Sequence, residues 1–406
     1  MVSEGRSVDA TSAPVSRTLE SAGFVHLIAR ADGDALAASG LLARALAERG
    51  TPFQVSVDRT VTARTARVRD REPAADDVTL AIGAIDADVA RLETADRSAT
   101  LAALDCVRDL ETTPEPVLAL AGLVAADIEP GAGESEWVLE TATERGLVSR
   151  RPGVAVPTAD LVDGIAHSTR LLGPWSGDVD ATREALTGLG VALDAPDTLE
   201  ADDHRAIGSA VALDVIGADE ATVTAAETIQ RALRPYATPD HAFDTVGGFA
   251  DVLEATARTE PGTGAALAMG HDVDESARVA WREYGRRAHA ALEGASTSRY
   301  DGLFVVEFDD GPVEAVARIA AAFRSPEPTV LAVSKGRRSS TNGTGEAAIV
   351  TRSDDPLGAT IEGVARELGH ESDTAPEYDV GHRRGYLRYD TTRDDETIIE
   401  TVRELR

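Results

Sequence analysis

Short apolar runs alternate with amphipathic segments along the first hundred residues, and that alternation restricts the chain to a parallel sheet covered by helices. The runs are 24–29, 53–57, 78–82 and 100–104, each of the length of a buried strand. Between the first two, residues 36–48 place Leu42, Ala45 and Leu46 on one helical face, and Gly50 follows where a left-handed terminator belongs. Ligands of such a sheet collect beyond the carboxyl ends of its strands. Asp32 and Asp34, on either side of Gly33, stand at the first of those ends, and Asp105 stands at the fourth. Two carboxylates so spaced can face one hard divalent cation. They can equally serve as turn and N-cap residues that satisfy free backbone amides.

With 406 residues and 43% hydrophobic content, the chain can build two domains with real cores. Its net charge is -30, yet its basic side is unusual, with 39 arginines and the single lysine Lys335. An acidic, lysine-poor surface stays hydrated when salt screens charges to within about 3 Å at molar ionic strength. The composition therefore reads as adaptation to a salty cytoplasm, and acidity alone does not exclude nucleic acid, because local arginines still act where acids are screened. One cysteine, Cys106, excludes an internal disulfide and fits a reducing compartment. No apolar run approaches ~20 residues and no basic-then-apolar leader opens the chain, so the expectation is a cytoplasmic protein with no membrane partner.

Residues 114–237 read mostly helical, with a loop at Gly173-Pro174-Trp175-Ser176-Gly177-Asp178. Residues 274–293 form one helix, with Ala277, Trp281, Tyr284, Ala288 and Ala291 at three- and four-residue spacing. A second α/β unit follows, with strands at 303–308, 329–333 and 347–351 and helices at 313–323, 356–368 and from Asp395. The expected division is a flexible start at 1–15, a first domain with a helical insert at 16–270, a connector helix at 271–296 and a C-terminal domain at 297–406. Lys335, Arg337 and Arg338 lie in a loop rich in Ser, Thr, Asn and Gly, while Gly381, His382, Arg383 and Arg384 form a glycine-flanked turn. Glycine admits phosphate to the backbone and arginine supplies forked donors, so the two segments are candidates for a single-strand nucleic-acid groove. A solvated loop with scattered arginines is the bland alternative.

At this point the residues resemble the DHH phosphoesterase superfamily and, within it, archaeal RecJ-like proteins of haloarchaeal type, over nearly the whole chain. The family's His-x-Asp-Ala-Asp-Gly motif is similar to Arg30-Ala31-Asp32-Gly33-Asp34-Ala35, with arginine in place of histidine. Its Asp-Leu-Gly falls on Ala81-Ile82-Gly83, without the carboxylate, and its Asp-His-His on Asp105-Cys106-Val107, without either imidazole. A fourth motif resembles residues 163–169 and keeps Asp163; Leu253-Glu254-Ala255-Thr256-Ala257-Arg258 is similar to the family's Leu-Asn-Ala-Cys-Gly-Arg. The terminal unit resembles the DHH-associated nucleic-acid-binding domain, with Val380-Gly381-His382 for its Gly-Gly-His.

The resemblance implies an α/β fold in which a parallel-sheet DHH domain is joined by a connector helix to a smaller α/β DHH-associated domain. It also implies metal ligands at Asp32, Asp34, Asp105 and Asp163, holding Mn2+ or Mg2+ weakly or not at all, because three histidines and one aspartate are missing. A guanidinium at position 30 stays protonated and opposes a cation there. The leading expectation is therefore a non-catalytic protein of DNA replication or repair that binds single-stranded DNA or RNA, or replisome partners of the GINS and MCM kind. This resembles the superfamily's inactivated eukaryotic replicative-helicase cofactor. The alternative is an active manganese-dependent 5′ to 3′ single-strand exonuclease or oligonucleotide phosphodiesterase, with His26 or His167 as replacement ligands. A further alternative is an unrelated phosphatase using Asp32 as nucleophile and Asp34 as acid-base. Cys106 reads as a small buried hydrophobe, Trp175 as a packing anchor, and Asp202-Asp203-His204 as helix capping rather than a metal motif.

Overall fold

The structure is a computed structural model that describes residues 15–72, 74–92, 97–335, 344–353, 356–370, 375–390 and 395–405. The chain runs α1 (Val15–Glu20), β1 (Phe24–Arg30), α2 (Gly33–Arg49), β2 (Phe53–Asp58), α3 (Val61–Arg69), β3 (Asp77–Ile82) and β4 (Ala90–Arg91). Helices α4 (Ala99–Asp109), α5 (Pro116–Ala125) and α6 (Glu136–Glu144) follow, then β5 (Ser149–Arg150), α7 (Leu161–His167), α8 (Val179–Thr187), α9 (Ala201–Gly217) and α10 (Val223–Ala232). The first body closes with β6 (Tyr236–Ala237), α11 (Val246–Thr259) and α12 (Pro261–Met269), and α13 (Asp274–Glu293) leaves it.

The first sheet is parallel in the order β2-β1-β3-β4, so β1 is central and its run is buried almost throughout. Register sets Arg30 opposite Asp58 and Ala29 opposite Ile82, which brings the ends of three strands to one edge. Helix α2 starts on the Asp32 cap and stops at Gly50, whose φ of 74° is the expected left-handed terminator. It is buried nearly all round because α4, α5, α11 and α12 enclose it against the sheet. The expected strand at 100–104 is instead the first half of α4. A short apolar run carries no period of its own; Ser98 caps it as a helix, and the true fourth strand is only two residues long. Asp105 thus rides a helix and does not stand at a strand end.

Helix α13 buries Ala277, Trp281, Tyr284, Ala288 and Ala291, the face its spacing predicts. It passes so close to α7 that a Cβ on Gly285 would lie 1.9 Å from the His167 carbonyl oxygen. Beyond it come β7 (Ser296–Tyr300), β8 (Leu303–Phe308), α14 (Val313–Phe323), β9 (Thr329–Ser334), β10 (Thr344–Thr351), α15 (Gly358–His370), β11 (Glu377–Val380), β12 (Arg384–Asp390) and α16 (Asp395–Leu405). The second sheet has the order β11-β12-β10-β9-β8-β7, with β8 and β9 parallel around α14 and the other pairs antiparallel. Alternation splits its residues: Val305, Leu331, Val333, Ala347, Ile349 and Leu387 join a core with α15 and α16. Val306, Phe308, Val330, Ala332, Ala348 and Tyr386 instead join the core shared with α14 and the first body. The fold is the expected α/β class, a parallel-sheet domain joined by a helix to a smaller α/β domain. Among the described residues no helix is long and apolar enough to cross a membrane.

Candidate functional site

The carboxyl edge of the first sheet faces the second sheet, and the cleft between them is filled by arginine-carboxylate pairs. Arg30, the last residue of β1, donates from Nε to Asp32 Oδ2, lies 4.0 Å from Asp379, and donates from Nη1 to the Val380 carbonyl at 3.3 Å. Gly381 leaves room for that approach, since a Cβ there would sit 2.7 Å from Arg30 Nη1, the movable end of the side chain. The other Asp32 oxygen accepts from the Ala35 amide at 2.8 Å and caps α2. Asp34 is turned away: its oxygens accept from Ser98 Oγ and the Ala99 and Thr100 amides at 2.8 to 2.9 Å, holding the first turn of α4. Burial, then the nearby Asp32 charge, raises the Asp34 pKa against those hydrogen bonds. Both carboxylates of the turn therefore act as caps, the alternative that their type and position also allowed.

The pairing continues across the domain junction. Glu254 on α11 accepts from the Gly33 amide at 2.8 Å and pairs with Arg258 at 3.2 Å; Arg258 reaches Glu314 on α14 at 3.0 Å. Glu314 also receives both arms of Arg59, which continues to Glu346 at 3.1 Å and stacks 4.0 Å from the Tyr386 ring centroid. Arg64, fully buried, donates to Asp379. Arg384, the last residue of the glycine-flanked turn, bonds Asp127 and lies 3.8 Å from Glu254. Burial would raise the Glu254 and Glu314 carboxyls, but their arginine neighbours hold both below the usual range. Desolvation nearly cancels the attraction in such pairs, so they fix how the two domains dock more than they add net stability.

The remaining sequence candidates are scattered. Asp105 is half exposed on α4, 2.6 Å from Arg97 and 3.8 Å from Arg108. Asp163 lies in the first turn of α7, whose N-cap is Asp160. It receives His167 Nδ1 at 3.0 Å and Arg282 Nε at 2.9 Å; burial opposes the shift, but these bonds hold its pKa low. Among the described residues no group of three or more His, Cys, Asp and Glu is arranged to hold a metal ion. The two histidines considered as replacement ligands are engaged elsewhere, His26 with Ser56 at 3.0 Å and His167 with Asp163. The residues present do not fit a manganese or magnesium pair: the oxygens are spent on amides and guanidiniums, and Arg30 occupies the position where positive charge would be held.

Lys335 follows β9, and Arg337 and Arg338 lie outside the described residues. Ser334 pairs with Glu346 while Arg384 pairs with Val350, so the end of β9 that leads into Lys335 and the start of β12 are set four residues apart along β10, roughly 14 Å at ~3.4 Å per residue. Gly381, His382 and Arg384 form the turn against the first domain, and only Arg383 of the four is exposed. Arg384 is an interdomain contact. Cys106 is buried, its thiol pushed up to about 12 by burial and then Asp109. Trp175 is buried and donates to Asp214 at 3.0 Å, and Asp203 completes a capping box with Glu200 at the start of α9. Arg59, Arg64, Glu314 and Asp379 escaped the sequence reading. The 30–34 turn, the 253–258 stretch with Glu254 and Arg258, and the 381–384 turn were the segments that pointed into the cleft.

The architecture is shared with a solved structure. CDC45 from Entamoeba histolytica superposes with a TM-score of 0.62 at 8% identity, covering 96% of each chain, which makes this a protein of the CDC45 fold. Exonuclease RecJ bound to manganese aligns with a TM-score of 0.44 at 12% identity, over 97% of this chain and 93% of that one. In sequence, residues 295–404 match the family model described as "Uncharacterized protein rrnAC1427, C-terminal domain". Uncharacterized protein rrnAC1427 of Haloarcula marismortui is 43% identical over 342 residues, 83% of this chain and 86% of that protein. The chain belongs to the rrnAC1427 family.

Proposed function

We propose that the protein is a RecJ-like member of the DHH superfamily without nuclease activity, which acts by binding partners in DNA replication or repair. The observation that carries this reading is Arg30 seated on Asp32 and within 4.0 Å of Asp379, where a phosphoesterase would hold its cations. Its domain division is that of residues 16–270, 271–296 and 297–406. On this reading it holds no resident metal. Its partners are replisome proteins of the GINS and MCM kind, and it takes up single-stranded nucleic acid weakly through Lys335, Arg337, Arg338 and the exposed Arg383.

The test combines calorimetry and turnover on the purified chain at about 2 M KCl, where the acidic surface is screened. Manganese gives no saturable heat, and end-labelled single-stranded DNA stays intact over hours. Degradation that requires manganese and is abolished by Asp32→Ala with Asp34→Ala would overturn the reading in favour of the exonuclease. Capture of GINS or MCM homologues by the immobilised chain is the positive arm.

A further inference from the structure

A second cavity lies on the far side of Arg318 from the cleft, between the end of α5, the β5-β6 ribbon, α10, the start of α11 and α14. Its volume is about 120 Å³, below the ~300 to 1,000 Å³ span of enclosed small-molecule sites, so it holds a phosphoryl-sized group and a larger ligand must extend through its mouth. Val124, Ala155, Val246, Ala322 and Phe323 form an apolar wall. Five guanidiniums line it, those of Arg150, Arg170, Arg231, Arg234 and Arg318, against two carboxylates, Asp127 and Glu129. Both carboxylates are already engaged, Asp127 by Arg384 and Glu129 by Arg150 at 3.7 Å. Among the described residues, Arg170, Arg231 and Arg234 have no carboxylate within 4.0 Å, in a chain whose net charge is -30.

Three details mark the cavity as built for an anion. Arg170 donates from Nη2 to the Val124 carbonyl at 3.0 Å, but its Nε is shielded from solvent and has no partner. Burial, and the neighbouring charge of Arg318, lower the pKa of Arg170. Arg318 is aimed by a buried network: its Nη2 donates to Thr169 Oγ1 at 2.6 Å, and Thr169 is fixed on Asp251, which also accepts from Ser168 Oγ at 3.1 Å and Trp281 Nε1 at 2.9 Å. At the mouth, Arg150 lies 4.6 Å from the centroid of the Tyr236 ring, and Arg234 keeps a left-handed φ of 55° rare outside glycine.

We propose that this cavity binds a nucleoside phosphate, with Arg170, Arg231 and Arg318 on the phosphoryl group and the apolar wall and Tyr236 on the base. Guanidinium forks match phosphoryl oxygens, and an inorganic anion alone would leave the apolar wall without a partner. The site is separate from the cleft, so its test does not depend on whether that cleft is idle.

Calorimetric titration of the full chain with AMP, adenosine and inorganic phosphate tests it. AMP binds one to one, at least tenfold more tightly than either fragment. Arg231→Glu, an exposed change at a side chain without a protein partner, weakens AMP at least tenfold while the unfolding midpoint stays put; Arg170→Ala does the same if it folds. Arg30→Ala in the cleft leaves AMP affinity within twofold. No saturable AMP binding, or binding indifferent to Arg231→Glu, overturns the proposal. Phosphate binding as tightly as AMP overturns the nucleoside part, and a 5′-phosphorylated single strand binding more tightly than AMP with the same Arg231 dependence reassigns the cavity to a strand end.

Discussion

One side chain decides what the first sheet can do. Arg30 ends the central strand, lies between the two sheets and bonds Asp32, with Asp379 within reach. Truncating it leaves buried carboxylates short of their counter-charge, so Arg30→Ala is expected to cost on the order of 3 kcal/mol in chemical denaturation. A loss below about 1 kcal/mol would place the pair among the inconsequential ones. His289 supplies a second residue-scale prediction. It is buried, bonded at 3.0 Å to the Ser168 carbonyl, and desolvation lowers its pKa from 6.5 to about 4. The unfolded chain therefore takes up a proton that the folded chain refuses: stability is full above pH 6.5 and is lost as pH falls toward 4. Between pH 6.5 and about 5 that one ring accounts for about 2 kcal/mol, and His289→Gln should flatten the profile by that amount. An unchanged slope would assign the effect to other groups. At this scale the sequence spoke clearly about identity and dimly about role, since Asp32 and Asp34 read equally as ligands or caps until their hydrogen bonds were seen.

At the scale of elements, spacing was a good guide wherever a segment was long. The buried face of α13 and the strands at 303–308 and 329–333 follow directly from periodicity and from their β-branched content. It misled at 100–104, because a run of five residues, four of them apolar, fits either period and the choice was made by Asp34, a residue sixty-odd positions away that holds the first turn of α4. Close helix crossing is equally invisible in a local pattern. Gly285 looks like any glycine in a helix, yet α7 leaves no room for a Cβ there. Gly285→Ala is expected to cost on the order of 3 kcal/mol by overpacking against backbone, whereas Gly217→Ala, where nothing lies within 4 Å, should be neutral or stabilising. Thermal melts of the two variants side by side check it, and equal melting temperatures would refute the crossing.

Across the whole molecule, two kinds of electrostatics coexist. The surface carries most of the -30 charge and repels itself, while the cleft pairs opposite charges at short range out of water. Raising ionic strength from about 0.1 to about 1 M shortens the screening length from about 10 to about 3 Å, relieving the first while barely touching the second. The unfolding midpoint should accordingly climb with KCl over that range, and a flat or falling midpoint would show that surface repulsion does not limit stability. By itself the amino-acid sequence determined the layers, the connector helix, the acidic, lysine-poor composition and the chemical types at the first strand end, because these depend on composition and local period. Only the tertiary structure decided that Glu254, Arg258, Glu314 and Asp379 line one cleft with Arg30, that Arg59 and Arg64 pair with Glu314 and Asp379 of that set, and that five arginines from distant segments surround one cavity. Charge partners are chosen by distance in space, and the residues that close this cleft lie as many as 350 positions apart along the chain.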